Sequence, residues 1–329
     1  MQNKRIYPRM RLRASMQRIT PLLVVLVSVI AQAERIELEN GDIYEGELVD
    51  GMRSGQGNYQ WQNGDRYEGQ FVADRLHGVG TLVWIDGRMY NGDFVADRRE
   101  GEAVYSRRNG DRYVGQFVNN QMHGQGEFTW GNEDSYEGSF VAGQRTGQGM
   151  FRWHTGEVYI GEFKNGKRHG QGSFVYADQR QFVGQFVEDQ KSGNGVFTWP
   201  NGTRYIGSFD VDQRSGAGAF YWRDGSVYRG EFEQNNMHGW GMKQQPEGGF
   251  EVQHWRSGSR VVNAAVAAIE PCTFRHMNRD WMFVSDECIN GLAHGVGMAA
   301  SLDGALVIPK GRFVLGQLVE GQIIELPTD

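Results

Sequence analysis

Histidines at a regular spacing are the first feature of the sequence with the capacity for chemistry. His77, His123 and His169 lie 46 residues apart, and His238 follows 69 residues after the last of them. Zinc would require such ligands about 2 Å from one ion. The spacing is two periods of a 23-residue sequence repeat, and two hairpins of a sheet span about 19 Å. These histidines therefore cannot share a metal ion, and we interpret them as loop-packing residues.

Glycine pairs of the form G-x-G, such as Gly78 and Gly80, raise the question of phosphate binding. A dinucleotide fingerprint must end a strand and open a helix, whereas these pairs open another strand-like stretch. The sequence has no G-x-S-x-G, H-E-x-x-H or P-loop motif, and its acidic residues are scattered over equivalent positions. We therefore predict no catalytic residue, no cofactor and no metal site, and a protein that is not an enzyme.

A row of aromatic residues at the repeat spacing is the best candidate for ligand binding. Rings at a regular rise of about 9.6 Å could stack on sugar rings or on peptide segments. Alternatively, the same rings cover a neighbouring row of phenylalanines, Phe71 to Phe232, as the hydrophobic layer of a sheet. Arg107 interrupts the row in the third copy, and its members are Trp61, Trp84, Trp130, Trp153, Tyr176, Trp199 and Trp222.

The elements that position these residues are nine copies of one 23-residue unit, each opening on an aromatic residue and a glycine. A fixed period indicates stacked units that bury apolar surface against their neighbours. The chain has 47 glycines in 329 residues, about twice the usual share of roughly 7%, and they are positional. The opening pairs are Tyr44/Gly46, Tyr67/Gly69, Tyr90/Gly92, Tyr113/Gly115, Tyr136/Gly138, Tyr159/Gly161, Phe182/Gly184, Tyr205/Gly207 and Tyr228/Gly230.

The alternation of residues within each copy predicts a β-hairpin. In the second copy, Tyr67, Gly69 and Phe71 share one face of a strand by its period of two, and Gly80, Leu82 and Trp84 share a face of the next. Dipeptides such as Asp86-Gly87 recur between copies and tolerate the positive φ of tight turns. The predicted fold is all-β, an elongated and twisted antiparallel meander of eighteen strands and roughly 85 to 90 Å.

The length of the turn between copies decides which face the tryptophans occupy. A two-residue connection at Asp86-Gly87 would place Trp84 and Tyr90 on opposite faces, and a three-residue connection would place them together. In the second case the sheet has one aromatic groove and one polar face, the latter carrying Glu68, Gln70, Gln116 and Glu162.

The alternation Y-x-G-x-F, a loop ending in H-G or S-G, the G-x-G pair and a D-G or N-G turn together resemble the MORN repeat (membrane occupation and recognition nexus). The resemblance extends from Tyr44 to about Gly249, with Phe182 in place of tyrosine and Glu133 and Gln179 in place of turn glycines. It implies a meandering antiparallel sheet with one hairpin per repeat, histidines at the loop positions, and membrane-proximal assembly with lipid association in some members.

Residues 1–33 have the features of an export signal. Six Lys and Arg residues lie between Lys4 and Arg18, an apolar run extends from Leu22 to Ile30, and Ala31-Gln32-Ala33 is a small-residue cleavage site. We predict cleavage after Ala33 and a periplasmic protein; the alternative is a membrane anchor formed by residues 22–30. Cleavage would leave 28 basic and 40 acidic side chains, a formal charge of −12, which disfavours nucleic acid and anionic lipid.

The remaining segments flank the repeats. Residues 34–43 are predicted as an N-terminal edge strand or cap, 44–249 as the nine repeats, and 250–329 as a C-terminal cap with degenerate repeats over 290–325. Cys272 and Cys288 lie sixteen residues apart in the cap. In an oxidising compartment we expect them to form a disulfide that stabilises by about 3 kcal/mol.

These features favour a non-catalytic exported scaffold that binds a protein partner, near a membrane, through an elongated sheet surface. The alternative from a different class is a polysaccharide or cell-wall module that uses the tryptophan row. Exposed edge strands also predict an edge-to-edge homodimer.

Overall fold

A computed structural model describes residues 34–247, 250–265, 272–284, 288–289, 292–301 and 306–325. The predicted signal at 1–33 lies outside these residues. The described chain forms two β-sheets, one of 21 strands and one of eight. The fold class predicted from the repeats, an antiparallel meander of tandem hairpins followed by a smaller C-terminal unit, is confirmed.

In the large sheet every strand pairs antiparallel with the next strand in the chain. Its strands are β1 Glu34–Glu37, β2 Ile43–Val49, β3 Met52–Gln60, β4 Arg66–Val72, β5 Arg75–Val83, β6 Met89–Val95, β7 Arg98–Ser106, β8 Arg112–Val118, β9 Gln121–Thr129, β10 Ser135–Val141, β11 Gln144–Arg152, β12 Val158–Lys164, β13 Lys167–Val175, β14 Gln181–Val187, β15 Gln190–Thr198, β16 Arg204–Asp210, β17 Gln213–Tyr221, β18 Val227–Glu233, β19 Asn236–Gln244, β20 Phe250–Arg256 and β21 Ser259–Ala265.

The small sheet has the order β24-β25-β22-β23-β26-β27-β28, with β29 paired to β27. Its strands are β22 Cys272–His276, β23 Arg279–Val284, β24 Cys288–Ile289, β25 Leu292–Ala293, β26 Gly295–Ser301, β27 Leu306–Val314, β28 Gln317–Gly321 and β29 Ile324–Glu325.

Within each copy the two strands are joined by a two-residue turn. Ala73 and Asp74 have φ angles of 44° and 66°, and Asn119 and Asn120 have φ angles of 48° and 67°. Two successive positive φ values define the type I′ turn, whose twist matches that of the flanking strands. The stretch that the sequence suggested as a loop before H-G is therefore a tight turn followed at once by the next strand.

Between copies the connection is a three-residue loop. The amide of Trp84 donates to the carbonyl oxygen of Arg88 at 2.9 Å, and the amide of Gly87 donates to the carbonyl oxygen of Trp84 at 2.9 Å. Gly87 has a φ of 86°, as expected for a type I turn closed by a residue in the left-handed region. Trp84 and Tyr90 consequently lie on the same face of the sheet.

The two glycines of each G-x-G pair have different roles. A Cβ on Gly80 would lie 2.4 Å from a ring carbon of Tyr67, so this glycine makes room for the ring. Gly78 has a φ of 58° and lies where the register between β4 and β5 shifts, next to the Gly69/Gln70 step. The first glycine therefore allows a bulge, and the second allows an aromatic ring to cover the backbone.

The opening glycine of each copy, which the sequence indicated only as a marker of the repeat, has a steric role of its own. Gly69 pairs with Gly80 on the next strand, and a Cβ on Gly69 would lie 2.6 Å from the Cα of Gly80 and 2.5 Å from Tyr67 Oη. The tyrosine ring therefore covers backbone that is bare on both strands. The equivalent pairs are Gly46 with Gly57, Gly92 with Ala103, Gly115 with Gly126, Gly138 with Gly149, Gly161 with Gly172, Gly184 with Gly195, Gly207 with Gly218 and Gly230 with Gly241.

Side chains at both margins of the sheet fasten each copy to the next. At one margin Asp74 Oδ1 accepts the backbone N–H of Arg53 at 2.9 Å. At the other margin Asp134 Oδ1 accepts the backbone N–H of His154 at 2.8 Å. Carboxylates thus satisfy backbone donors of a neighbouring copy, in addition to the hydrogen bonds of the sheet itself.

The hydrogen bonds of these carboxylates lead us to expect a fold that loses stability in acid. The hydrogen bond from the Arg53 amide lowers the pKa of Asp74, and hydrogen bonds from His154 outweigh burial to lower that of Asp134. The folded-state pKa values lie below the ordinary value of about 3.9, so their stabilisation is present above that pH and is lost as the pH falls through the folded values. We expect the thermal midpoint to fall below about pH 4.

Asp74→Asn is the matched variant for this prediction, because Asn120 accepts the amide of Arg99 at 2.9 Å in the equivalent place. The variant should show a smaller fall of the midpoint in acid. A midpoint that stays constant down to about pH 2.5 in the unmodified protein would contradict the assignment.

The small sheet packs on the outer face of the large sheet, opposite the aromatic rings. Met242 of β19 joins a buried cluster with Met282, Met298, Ala300 and Val307 of the small sheet. The hairpin of β20 and β21 continues the large sheet past residue 249, and β1 precedes the first copy at its other end. These three strands are the ones added to the eighteen that the repeats predict.

Candidate binding surface on the aromatic face

One face of the large sheet is covered by aromatic rings in parallel rows. The opening tyrosines, from Tyr44 to Tyr228, are at most 1% exposed. From Tyr67 to Tyr205, each of these tyrosines contacts the phenylalanine of its own strand and that of the next copy edge to face; for Tyr136 the centroid distances are 5.2 Å to Phe140 and 5.0 Å to Phe163. A single layer of sheet thus obtains a core from its own aromatic side chains.

The tyrosine hydroxyls are structural groups. Burial raises the pKa of Tyr136 to about 12, so the phenol stays protonated at neutral pH. It donates to the carbonyl oxygen of Ser139 at 3.1 Å, and Tyr67 does the same to that of Gln70 at 3.0 Å. Phe182 has the aromatic ring at this position but lacks the hydroxyl that forms the hydrogen bond.

The opening glycines lie beneath these rings and not at the surface available to a ligand. All nine are buried, and the two depressions described below are lined by other residues. Their contribution to the site is indirect, because they set how closely the rings approach the backbone. The nine are Gly46, Gly69, Gly92, Gly115, Gly138, Gly161, Gly184, Gly207 and Gly230.

The predicted row of tryptophans shares this face and packs on the core. Trp153 lies 4.3 Å from Phe151 and 5.4 Å from Phe174 between ring centroids, at interplanar angles of 45° and 49°. Rings tilted between two neighbours do not present flat platforms. The partly buried members that pack against the core are Trp61, Trp84, Trp130, Trp153, Tyr176, Trp199 and Trp222.

A row of cationic side chains lies among the rings, and sequence reasoning missed it. The guanidinium carbon of Arg145 lies 5.0 to 5.7 Å from the ring centroids of Trp130, Tyr136, Phe151 and Phe163. Burial lowers the pKa of this guanidinium. The signal was present as a cation two residues before the first glycine of the pair, at Arg53, Arg99, Arg145, Arg168, Lys191 and Arg214.

Each caged arginine also contacts the following copy. Arg145 Nη2 donates to the carbonyl oxygen of Gly166 at 2.6 Å, and Arg168 Nη2 donates to that of Asp189 at 2.6 Å. The guanidinium therefore combines ring stacking with a hydrogen bond to a backbone acceptor.

Substitutions of Arg145 test this cage. Arg145→Met should change the free energy of unfolding by less than about 1 kcal/mol, because Met122 and Met237 occupy the same position in other copies and the aliphatic stem supplies much of the packing. Arg145→Glu should cost about 2 kcal/mol, because it places a negative charge against the negative faces of four rings. Urea unfolding followed by circular dichroism measures both, and equal losses would contradict the cage.

Depressions lie between successive members of the tryptophan and cation rows. One of about 340 Å³ is lined by Trp130, Arg145, Trp153, Arg168 and Asp189, among others. A second, of about 200 Å³, is lined by the residues 46 positions later, which are Tyr176, Lys191, Trp199, Arg214 and Asn235. The two depressions are the same feature two copies apart, and the rows of rings and cations that line them recur along the aromatic face with the period of the repeat.

The opposite face of the sheet is polar with apolar residues among the charges. Glu68, Gln70 and Gln116 are exposed there, as the one-groove arrangement requires, and Glu162 is half-buried. Sequence reasoning missed a row of valines on this outer face, which are 40 to 55% exposed: Val49, Val72, Val95, Val118, Val141 and Val187.

The histidines do not converge. His77, His123, His169 and His238 lie in four different strands, β5, β9, β13 and β19. Within the described ranges, no group of three or more His, Cys, Asp or Glu side chains is placed to hold a metal ion. Nor does that part of the chain contain a helix of the length and apolar character needed to cross a membrane.

Comparison with known proteins agrees with this architecture. The MORN repeat model matches residues 44–66, 67–87, 90–112, 113–135, 136–158, 159–179, 182–204, 205–227 and 228–250. The chain belongs to the MORN repeat family. No curated protein matches the chain significantly.

Two of the solved structures that match the chain are distantly similar to it. The TCP10 domain of Danio rerio CPAP, in complex with a peptide of Danio rerio STIL, gives a TM-score of 0.39 at 11% identity and covers 70% of this chain and 98% of that chain. Virginiamycin B lyase from Staphylococcus aureus gives a TM-score of 0.14 at 9% identity and covers 90% of this chain and 85% of that chain. Neither value supports an argument about function.

Proposed function

We propose that the protein is a non-catalytic repeat scaffold that binds a protein partner along its aromatic face. The observation that carries the proposal is the periodic groove, in which partly buried tryptophan rings alternate with caged cations and turn carboxylates. Aromatic and arginine side chains are the residues most enriched at the energetic centres of protein interfaces. Acidic side chains are distributed along both margins of the sheet instead of facing one point, which suits a scaffold.

The packing of the tryptophans favours a protein over a polysaccharide. Trp130 lies 4.5 Å from Phe128 and 5.2 Å from Phe151, tilted to both, so its ring faces are occupied by neighbours. Stacking of sugars needs a free ring face, whereas a peptide can pack against ring edges and hydrogen-bond to cations. The formal charge of −12 expected after cleavage favours protein over anionic lipid as the membrane-proximal contact.

Site-specific photo-crosslinking in intact cells tests this proposal. A photoreactive residue in place of Arg180, which lines the second depression, should give a defined protein adduct. The same residue in place of Arg152, an exposed side chain on the outer face, is the matched control and should not. Adducts from position 152 alone, or no protein adduct from position 180, would refute the proposal.

We further propose that the scaffold is exported, with residues 1–33 removed after Ala33. The basic segment, the apolar run and the small-residue site of the sequence support this. Intact-mass analysis of fractionated cells should give a soluble form that begins at Glu34. A full-length form released from membranes only by detergent would establish the anchor formed by residues 22–30 instead. The edge-to-edge homodimer stays a prediction.

A disulfide between Cys272 and Cys288 is part of this proposal. Cys272 is 4% exposed, and the side chain of Cys288 lies outside the described residues. We expect no reactive thiol in the protein unfolded without reductant, and a lower thermal midpoint after reduction, since closing such a loop stabilises by about 3 kcal/mol. Two reactive thiols in the unreduced protein would rule the disulfide out.

A further inference from the structure

We infer that the segment bound in the groove is a polyproline II peptide that runs along the stacking direction with an apolar residue, such as proline, at every third position. The inference rests on the proposed function, since it specifies the partner of the same face. The rows of rings and cations that line the groove repeat once per hairpin, a rise of about 9.6 Å for two strands. A polyproline II helix has three residues per turn and rises about 3.1 Å per residue, or about 9.3 Å per turn.

The α-helix and the β-strand fit this period less well. The apolar stripe of an α-helix returns after seven residues, a rise of about 10.5 Å. One face of a β-strand recurs about every 6.7 Å. Over four copies the polyproline II repeat falls behind the groove by only about 1.2 Å, whereas the helical repeat overruns it by about 3.6 Å. An apolar residue in every second turn of the peptide can thus enter the two depressions, which lie two copies and about 19 Å apart.

Hydrogen bonding favours the same peptide conformation. The backbone of polyproline II has no internal hydrogen bonds, so its carbonyl oxygens need donors from outside. Arginine has five N–H donors, and Arg168 uses its Nε and Nη2 atoms to bond Asp189. The Arg168 side chain lines the first depression, so an N–H group that these two bonds do not use can donate to a peptide bound there. The groove therefore combines aromatic surface for the apolar residues with donors for the backbone between them, the combination that proline-rich ligands use elsewhere.

Charge complementarity predicts which residues the bound peptide carries between its apolar positions. The second depression is lined by Arg180, Lys191 and Arg214, with Asp212 as its one carboxylate. Lys191 pairs with that carboxylate at 3.4 Å, and Arg180 pairs with the exposed Asp178 at 2.7 Å. The lining has an excess of positive charge over this half of the groove although the whole protein is acidic. The bound segment should accordingly carry acidic residues between its apolar ones.

Fluorescence anisotropy with the full mature protein and labelled 12-residue peptides tests the inference. The matched peptide has proline at every third position and glutamate at most of the others. One comparison peptide replaces glutamate by lysine, a second has the same composition with proline at every fourth position, and a third is an amphipathic helix former. We expect the matched peptide to bind at least tenfold more tightly than each of the others.

Two protein variants locate the binding. Arg180→Glu should weaken binding of the matched peptide at least fivefold, and Arg152→Glu on the outer face should leave it unchanged. Equal binding of all peptides, tighter binding of the helix former, or an equal effect of the two variants would overturn the inference. Absence of peptide binding while the crosslink from position 180 persists would overturn the inference and leave the proposed function standing. Loss of both the peptide binding and the crosslink would overturn both the inference and the proposed function.

Discussion

Gly138→Ala is expected to lower the free energy of unfolding of the surrounding copies by about 3 kcal/mol. An alanine Cβ at this position would lie 2.5 Å from Tyr136 Oη, 2.7 Å from Gly149 Cα and 2.8 Å from the carbonyl oxygen of Gln148. Two of these atoms belong to the backbone of the paired strand, which cannot move without loss of sheet hydrogen bonds. Native-state hydrogen exchange of β10 and β11 measures the loss locally, which suits a long repeat array.

Gly149→Ala is the matched comparison for this prediction. Its Cβ would meet atoms of the Tyr136 ring at 2.5 Å, and the third copy already has an alanine, Ala103, paired with Gly92 at the equivalent position. A ring can shift where a backbone cannot, so Gly149→Ala should cost less than Gly138→Ala. A cost for Gly138→Ala no larger than that of Gly149→Ala would show that backbone crowding does not set the glycine requirement.

Trp153→Ala is expected to lower the free energy of unfolding by about 3 kcal/mol, because the indole fills the space between Phe151 and Phe174 and its removal exposes both rings. Trp130 shares Phe151 as a neighbour. The double variant should therefore lose less than the sum of the single losses, since each single variant already exposes Phe151. Urea unfolding followed by the circular dichroism of the β-sheet measures these losses without relying on indole fluorescence.

Val141→Ala on the outer face is the control for Trp153→Ala. Val141 is 52% exposed, and its truncation should change stability by less than about 0.5 kcal/mol. An unchanged unfolding curve for Trp153→Ala would contradict the packing described for the tryptophan row. It would instead restore the alternative of a ring platform that is free to stack on sugars.

The repeat sequence predicted the hairpins because both strands of each copy keep strict alternation, as at Tyr67, Gly69 and Phe71. It could not settle the face of the tryptophans. Asp86-Gly87 fits a two-residue and a three-residue loop equally, since both can end on a residue with positive φ. The distinction depends on whether the Trp84 amide pairs with the carbonyl of Arg88, which is a property of the folded pair.

The cationic row escaped detection for a related reason. Leu76, Met122 and Met237 interrupt it, and a cation on an aromatic face runs against the expectation that charged side chains point to water. The rings stabilise it through their negative faces, as the distances of Arg145 to four rings show. The row can be recognised in the sequence only when the geometry of the ring cage is already known.

The sequence contains a signal for the position of the small sheet. The outer-face residues of the last copies are apolar, as at Ile206, Ala219 and Met242, and these are at most 5% exposed. Earlier copies have Glu68 or Asn91 at corresponding outer positions, and polar residues such as Glu68 led to the interpretation of a polar face. A gradient of apolar residues along one face indicates where a second layer packs.

The most direct test of the central claim, that the aromatic face is the binding surface, is hydroxyl-radical footprinting of the protein in living cells compared with the purified protein. The account predicts that oxidation of Trp130, Trp153, Tyr176 and Trp199 falls in cells, while oxidation of Val141 and Val187 on the outer face is the same in both preparations. Protection of the outer-face valines with unchanged oxidation of the tryptophan row would contradict it.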